Sequence, residues 1–442
     1  MAEMMQKKLH ILSERTHFRN PSINVLMKIT VLDELDKQKF EASLKALQEI
    51  HPLLYSTVVL DSDGEAYYQE ETIESIYTTI YSEAEEDYWL RIAEQEAHYC
   101  FDLTQDSLAR FFLFPRNKEF DILIVAHHLL GDGLSIANLL RDIIMTYAGT
   151  DIPIRDQELI KGTEDFPKDT KMGLVTNLLI RNWNKSWLKD SRVYSQSEYN
   201  DLANTYNQNN HTKLIIKIFS PEDLSNLKSK CSQHTVTIND ALVTAMILAQ
   251  QRFLPKKSGK TQTFAIPISI RNRLPFNAEQ SLGNFASAIT IKYEEKANQS
   301  FWENVQMVHE IIRKKISSEK KVWLLLNLYS SMNGNLIDSL YFASYGIENR
   351  ATAHRVASML GLKSEKKNTG ISNLGKLKIK NRYNRILIKD LYFFPPVVPN
   401  SEITLGIATL GTTMTFGFSY NSDIITYEDI NNITNYCFDL LV

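Results

Sequence analysis

The run His-His-Leu-Leu-Gly-Asp-Gly at residues 127–133 gathers two imidazoles and a carboxylate within seven positions. Histidine is the side chain best matched to taking a proton near neutral pH, so one of the pair is a candidate general base. The competing reading is a core histidine satisfied inside the fold, the commoner fate of a lone histidine. Metal binding is the weakest of the three. Adjacent histidines on a strand diverge, and Cys100, Cys231 and Cys437 are too scattered to complete a ligand set.

The elements around this run decide where it sits. Asp121–Ala126 has the length and β-branched content of a buried strand. Beyond the run, Ile136, Leu139, Leu140, Ile143, Ile144 and Tyr147 recur at helical spacing, and Gly149 supplies a stop. The heptad is therefore a strand-to-helix corner. Alternation puts Ile122, Ile124, Ala126 and His128 on one face, and Leu123, Val125 and His127 on the other. Only one imidazole can enter a given cavity.

The heptad resembles the signature of the condensation domains of nonribosomal peptide synthetases and their acyltransferase relatives. Those relatives include polyketide-associated acyltransferases, wax ester synthases, plant alcohol acyltransferases and chloramphenicol acetyltransferases. The resemblance implies an α+β fold of two chloramphenicol-acetyltransferase-like subdomains, arranged as a pseudo-dimeric V with a central channel. It implies that His128 stands at the reaction centre, while His127, Asp132 and Gly133 are structural. It also implies that Asp132 pairs with an arginine from a distant strand.

Two later segments are similar to family patterns. Pro267-Ile-Ser-Ile-Arg-Asn-Arg273, followed by Leu282-Gly-Asn-Phe285, offers Arg271 as that arginine, with Arg273 as a rival. A guanidinium can hold a buried carboxylate bidentately and fix the corner. Thr369-Gly-Ile-Ser-Asn-Leu-Gly375 resembles a strand that lies opposite the family's histidine. Ser372 or Asn373 would then donate to an oxyanion or position the donor, only one of them facing the channel; alternatively the pair is a turn former.

Across the chain, strands and helices alternate in an α+β pattern on both sides of a polar stretch. Residues 1–175 are expected to form an N-terminal subdomain carrying the heptad, 176–210 an exposed connector, and 211–442 a C-terminal subdomain. Within the connector, Trp183 and Trp187 read as a helix face docked on the body. The plant enzymes' Asp-Phe-Gly-Trp-Gly motif and the wax ester synthases' Asn-Val-Pro-Gly-Pro run are absent.

Composition excludes several classes. A formal net charge of −3 argues against nucleic-acid binding. No run approaches the ~18 apolar residues of a membrane span, and the N-terminus lacks a signal-peptide core. A cytoplasmic, monomeric protein is expected. Neither a Gly-x-Ser-x-Gly elbow nor an obvious nucleophilic cysteine is present, which favours direct transfer over an acyl-enzyme.

The function expected from the resemblance is that of a stand-alone acyltransferase in secondary metabolite or lipid biosynthesis. It would move an acyl group from a thioester to the hydroxyl of a small-molecule acceptor, with His128 as general base. The donor would be acyl-coenzyme A or an acyl carrier protein, its coenzyme A or phosphopantetheine thioester serving as co-substrate, with no metal and no bound cofactor. Amide formation on an amine, as in peptide condensation, is the alternative. A catalytically silent relative that only docks carrier proteins is a third.

Overall fold

The computed structural model describes residues 8–70, 73–82, 85–155, 157–254, 263–296, 298–363, 368–399 and 401–442. In chain order, the first half supplies α1 (Arg15–Phe18), β1 (Asn24–Leu32), β2 (Thr78–Ile80), β3 (Ala109–Arg116), β4 (Glu119–His127) and α2 (Gly133–Tyr147). Two helices follow, α3 (Leu174–Trp187) and α4 (Gln196–Asn207). The second half supplies β5 (Thr212–Phe219), α5 (Ile238–Phe253), β6 (Thr263–Ser269), β7 (Ala286–Lys292) and α6 (Gly334–Ser344). After them come β8 (Asn368–Lys376), β9 (Arg382–Tyr383), β10 (Ile386–Phe394), β11 (Ser401–Leu410), β12 (Thr413–Asn421) and α7 (Tyr427–Leu441).

Two six-stranded sheets organise these elements, in the orders β9-β10-β1-β4-β3-β2 and β7-β6-β8-β11-β12-β5. A small third sheet joins residues 8–10, 57–60 and 66–69. β4 is buried from Phe120 to His127, which explains its near-continuous apolar run, since a strand covered on both faces has no reason to alternate. β3 and β4 meet in the expected hairpin, with Arg116 opposite Glu119 and Lys118 left-handed at φ 60°. Gly149, at φ 75°, closes α2 where the sequence placed a stop.

The boundary expected at residue 211 does not separate the sheets. β9 and β10, from the C-terminal part of the chain, belong to the heptad's sheet, where Leu391 pairs with Ile29 of β1. Strand composition cannot reveal this, because apolar alternation selects a buried face but not which sheet supplies it. Glycine makes the crossover possible. On the second sheet Gly406 faces Gly417, and a Cβ on either would lie 2.2–2.3 Å from the Phe393 carbonyl oxygen. A side chain there would push β10 off the sheet it crosses.

The stretch 176–210 is also not an exposed connector. Ile180, Trp183 and Trp187 of α3 pack with Leu336, Ile337 and Leu340 of α6, as the docked-face reading of the two tryptophans requires. Tyr199 and Leu202 of α4 share a cluster with Tyr194 and Phe342, whose rings stack at 3.8 Å. Ser195 caps α4 through a reciprocal capping box with Glu198. The polar composition lies on the outer faces of two docked helices.

Candidate active site

The corner is built by its termini. β4 ends at His127, and Asp132 N-caps α2, its carboxylate accepting from the Ser135 backbone N–H at 2.9 Å. Leu129 and Leu130 are fully buried beneath the turn, and the Tyr68 hydroxyl donates to the Leu129 carbonyl at 2.8 Å. Gly133 opens α2 where a Cβ would run into Phe393 and Leu374 at 2.8–2.9 Å. The turn is anchored by apolar plugs below and by close approach above.

The two imidazoles have different surroundings, and His128 lies just past the end of β4. His127 is 1% exposed; its Nδ1 accepts from the Leu129 N–H at 3.2 Å and its ring stands edge-on to Phe101. Burial, helped by His128 and Arg19, pulls its pKa down to about 3. His127 is therefore a neutral brace inside the protein. His128 remains partly exposed, and its Nδ1 is sealed without a hydrogen-bond partner in another residue. The exposed edge therefore carries Nε2. Burial lowers the His128 pKa below the usual imidazole value of 6.5, against an opposing pull from Asp132. At neutral pH the ring is uncharged and able to accept a proton.

Arg271, rather than Arg273, reaches the acid. It lies in a short 3-10 turn after β6, and its Nη2 donates to Asp132 at 2.8 Å and to the Ser135 hydroxyl at 2.7 Å. The expected bidentate fork does not form. Nη1 goes to the carbonyls of Ala278 and Ser281 instead, and the guanidinium lies 4.5 Å over the Phe285 ring. The second Asp132 oxygen accepts from the Phe285 N–H at 3.0 Å, while the Asp132 N–H donates to the Gly283 carbonyl at 3.1 Å. One carboxylate thus ties three pieces of chain at the seam between the halves. Arg273 pairs with Glu319.

Of the polar pair on β8, Asn373 is already occupied: its Oδ1 accepts from the Gly375 N–H at 2.8 Å and its Nδ2 lies 3.4 Å from Asn239. Ser372 shares a strand face with Leu374, the residue whose side chain approaches Gly133 at the start of α2. Ser372 pairs with Gly406 in the register of β8 with β11, just before the irregularity that begins at Asn373.

Sequence reasoning passed over a ring that stacks on His128. The His17 ring, on α1, stacks on His128 with centroids 4.3 Å apart and planes at 24°. Asn284, inside the Leu-Gly-Asn-Phe segment, hydrogen-bonds the His17 Nε2 at 2.8 Å. Nothing in local periodicity could pair residues so far apart in the chain. Among the described residues, no group of three or more His, Cys, Asp and Glu side chains is placed to hold a metal ion. No helix among them is long and apolar enough to cross a membrane.

His128 thus follows a strand end at a corner that Asp132 and Arg271 brace. The condensation domain family matches residues 2–324. This chain belongs to that family. A polyketide synthase–nonribosomal peptide synthetase from Aspergillus clavatus is 23% identical over 316 residues, 67% of this chain but 7% of the relative. The condensation-family fold recurs in the first condensation domain of the CDA synthetase, at a TM-score of 0.67 and 11% identity, over 100% of this chain and 96% of that one. It recurs equally in the trichothecene 15-O-acetyltransferase of Fusarium sporotrichioides, at a TM-score of 0.67 and 12% identity, over 98% of this chain and 96% of that one. The architecture is accordingly two chloramphenicol-acetyltransferase-like subdomains of mixed helix and sheet.

Proposed function

We propose that this condensation-family chain transfers an acyl group from a thioester to an acceptor hydroxyl. The observation that carries the reading is the partly exposed His128 at the seam, beside the Asp132–Arg271 pair, with burial lowering its pKa. Nε2 takes the proton from the hydroxyl as its oxygen bonds to the thioester carbonyl carbon. The tetrahedral intermediate then collapses, the carbon–sulfur bond breaks, and the imidazolium returns the proton to the departing thiolate. The products are an ester and a free thiol. Ser372 is the proposed donor to the oxyanion formed in between.

General base assistance is worth about two to four decades in such steps. Holding acceptor and thioester in register contributes up to roughly 7–11 kcal/mol in the best-oriented cases. The thioester belongs to coenzyme A or to the phosphopantetheine arm of a carrier protein, and serves as a substrate. An amine acceptor, giving an amide, is the second reading, and the peptide synthetase relative favours it. Base, oxyanion donor and leaving group are the same for both.

Purified protein incubated with acyl-coenzyme A or acyl carrier protein, plus mixed alcohols and amines, is read by mass spectrometry. Esters with loss of the thioester are expected. Amides alone would replace the first reading by the second. No product from any donor would leave a relative that only docks carriers, and would overturn both.

A further inference from the structure

One face of the His128 ring is covered by a residue from another part of the chain. α1 is tied to the C-terminal half: Arg15 donates to both carboxylate oxygens of Asp338 on α6, at 2.9 and 2.6 Å, and the Tyr341 hydroxyl donates to the Thr16 carbonyl at 2.8 Å. That docking presents His17 to His128, and Asn284 holds the far edge of the His17 ring. We propose that His17 is a positioning residue, which fixes the plane of the His128 imidazole and keeps bulk water from its face. The inference rests on the reading of His128 as the base.

Two further observations support it. Burial, together with His128 and His127, holds His17 far below the usual imidazole pKa, so the stacked rings are neutral and do not repel. The Asn284 Oδ1 is buried without a partner, so the one bond Asn284 makes through its side chain goes to His17. The ionisable groups on the elements that carry the pair are few. His127 and Asp132 lie on the heptad, Glu14, Arg15 and Arg19 on or beside α1, and Arg271 stands behind Asp132. Glu14 is itself raised to about 7 by burial. Of these groups Asp132 is the charge that acts on His128, and burial outweighs it.

The test compares His17→Ala, His17→Phe and His128→Ala in the full chain, by steady-state kinetics across pH with melting temperature alongside. His17→Ala is expected to lower kcat roughly 10- to 100-fold through lost orientation, with the KM for the thioester little changed. Its acid limb moves up toward the free-imidazole value of about 6.5, because water reaches His128. His17→Phe keeps a flat ring, and so keeps kcat and the limb close to the parent's. Should His17→Ala fail to fold, His17→Leu fills the volume without a flat ring. Its kcat is expected to fall while its acid limb stays close to the parent's, and a parental kcat there would overturn the proposal. A parental kcat and limb in His17→Ala would overturn the proposal. So would a His17→Phe variant as damaged as His17→Ala, which would make the imidazole itself the working group. Parental turnover in His128→Ala would instead overturn the reading of His128 as base.

Discussion

Replacing His128 with alanine is expected to lower turnover by about two to four decades, the usual worth of a positioned general base. The fold should survive, because His128 is partly exposed and its ring makes no hydrogen bond to another residue. Thioester affinity should change little, since the lost interaction forms only as the proton moves. His127→Ala should behave in the opposite sense. It removes a fully buried ring that packs on Phe101 and accepts from the turn, so the melting temperature falls and turnover follows only as the corner loosens. Turnover, thioester KM and melting temperature of the two variants check this together. A well-folded but inactive His127→Ala beside an active His128→Ala would reverse the assignment of the rings.

The second large effect is on stability. Asp132→Ala removes the counter-charge of Arg271, in a pair whose side chains are each 9% exposed. Removing one partner of a buried pair costs about 3–5 kcal/mol, mostly through the charge left behind. The cap on α2 is lost as well, worth about 1 kcal/mol by itself and not simply additive here. Asp132→Asn should be milder, since asparagine still accepts from the Ser135 N–H. Denaturant midpoints and turnover measured on the same preparations separate the cases. A variant with the parental midpoint and no turnover would make Asp132 a participant in the chemistry.

How much of this was legible in the sequence follows from which interactions are local. The β4–α2 corner announces itself, because a doubly covered strand, a cap and a periodic helix are written within thirty residues. Arg271 was reachable through resemblance, although its partition between Asp132, Ser135 and two backbone carbonyls was not, since that depends on the loop at 278–285. The Ser195–Glu198 capping box was readable in principle, yet the Asn-rich composition around it outweighed the signal. The exchange of β9 and β10 into the heptad's sheet, and the stacking of His17 on His128, are contacts between distant residues. No periodicity encodes them.

Proton occupancy links the central claim to a direct measurement. His127 is held near 3 by burial while the unfolded chain's histidines titrate near 6.5. Its contribution to stability is therefore full above 6.5 and is lost as pH falls from there toward 3, because the unfolded state binds the proton first. Rates must be taken where circular dichroism shows the fold intact. Within that window, the decisive measurement is the pH dependence of single-turnover acyl transfer for the parent and for His128→Ala. Burial lowers the His128 pKa, so the parent should lose activity along one acid limb with its midpoint below 6.5, and the residual rate of His128→Ala should lack that limb. A midpoint above 6.5, or a limb unchanged in His128→Ala, would contradict the account.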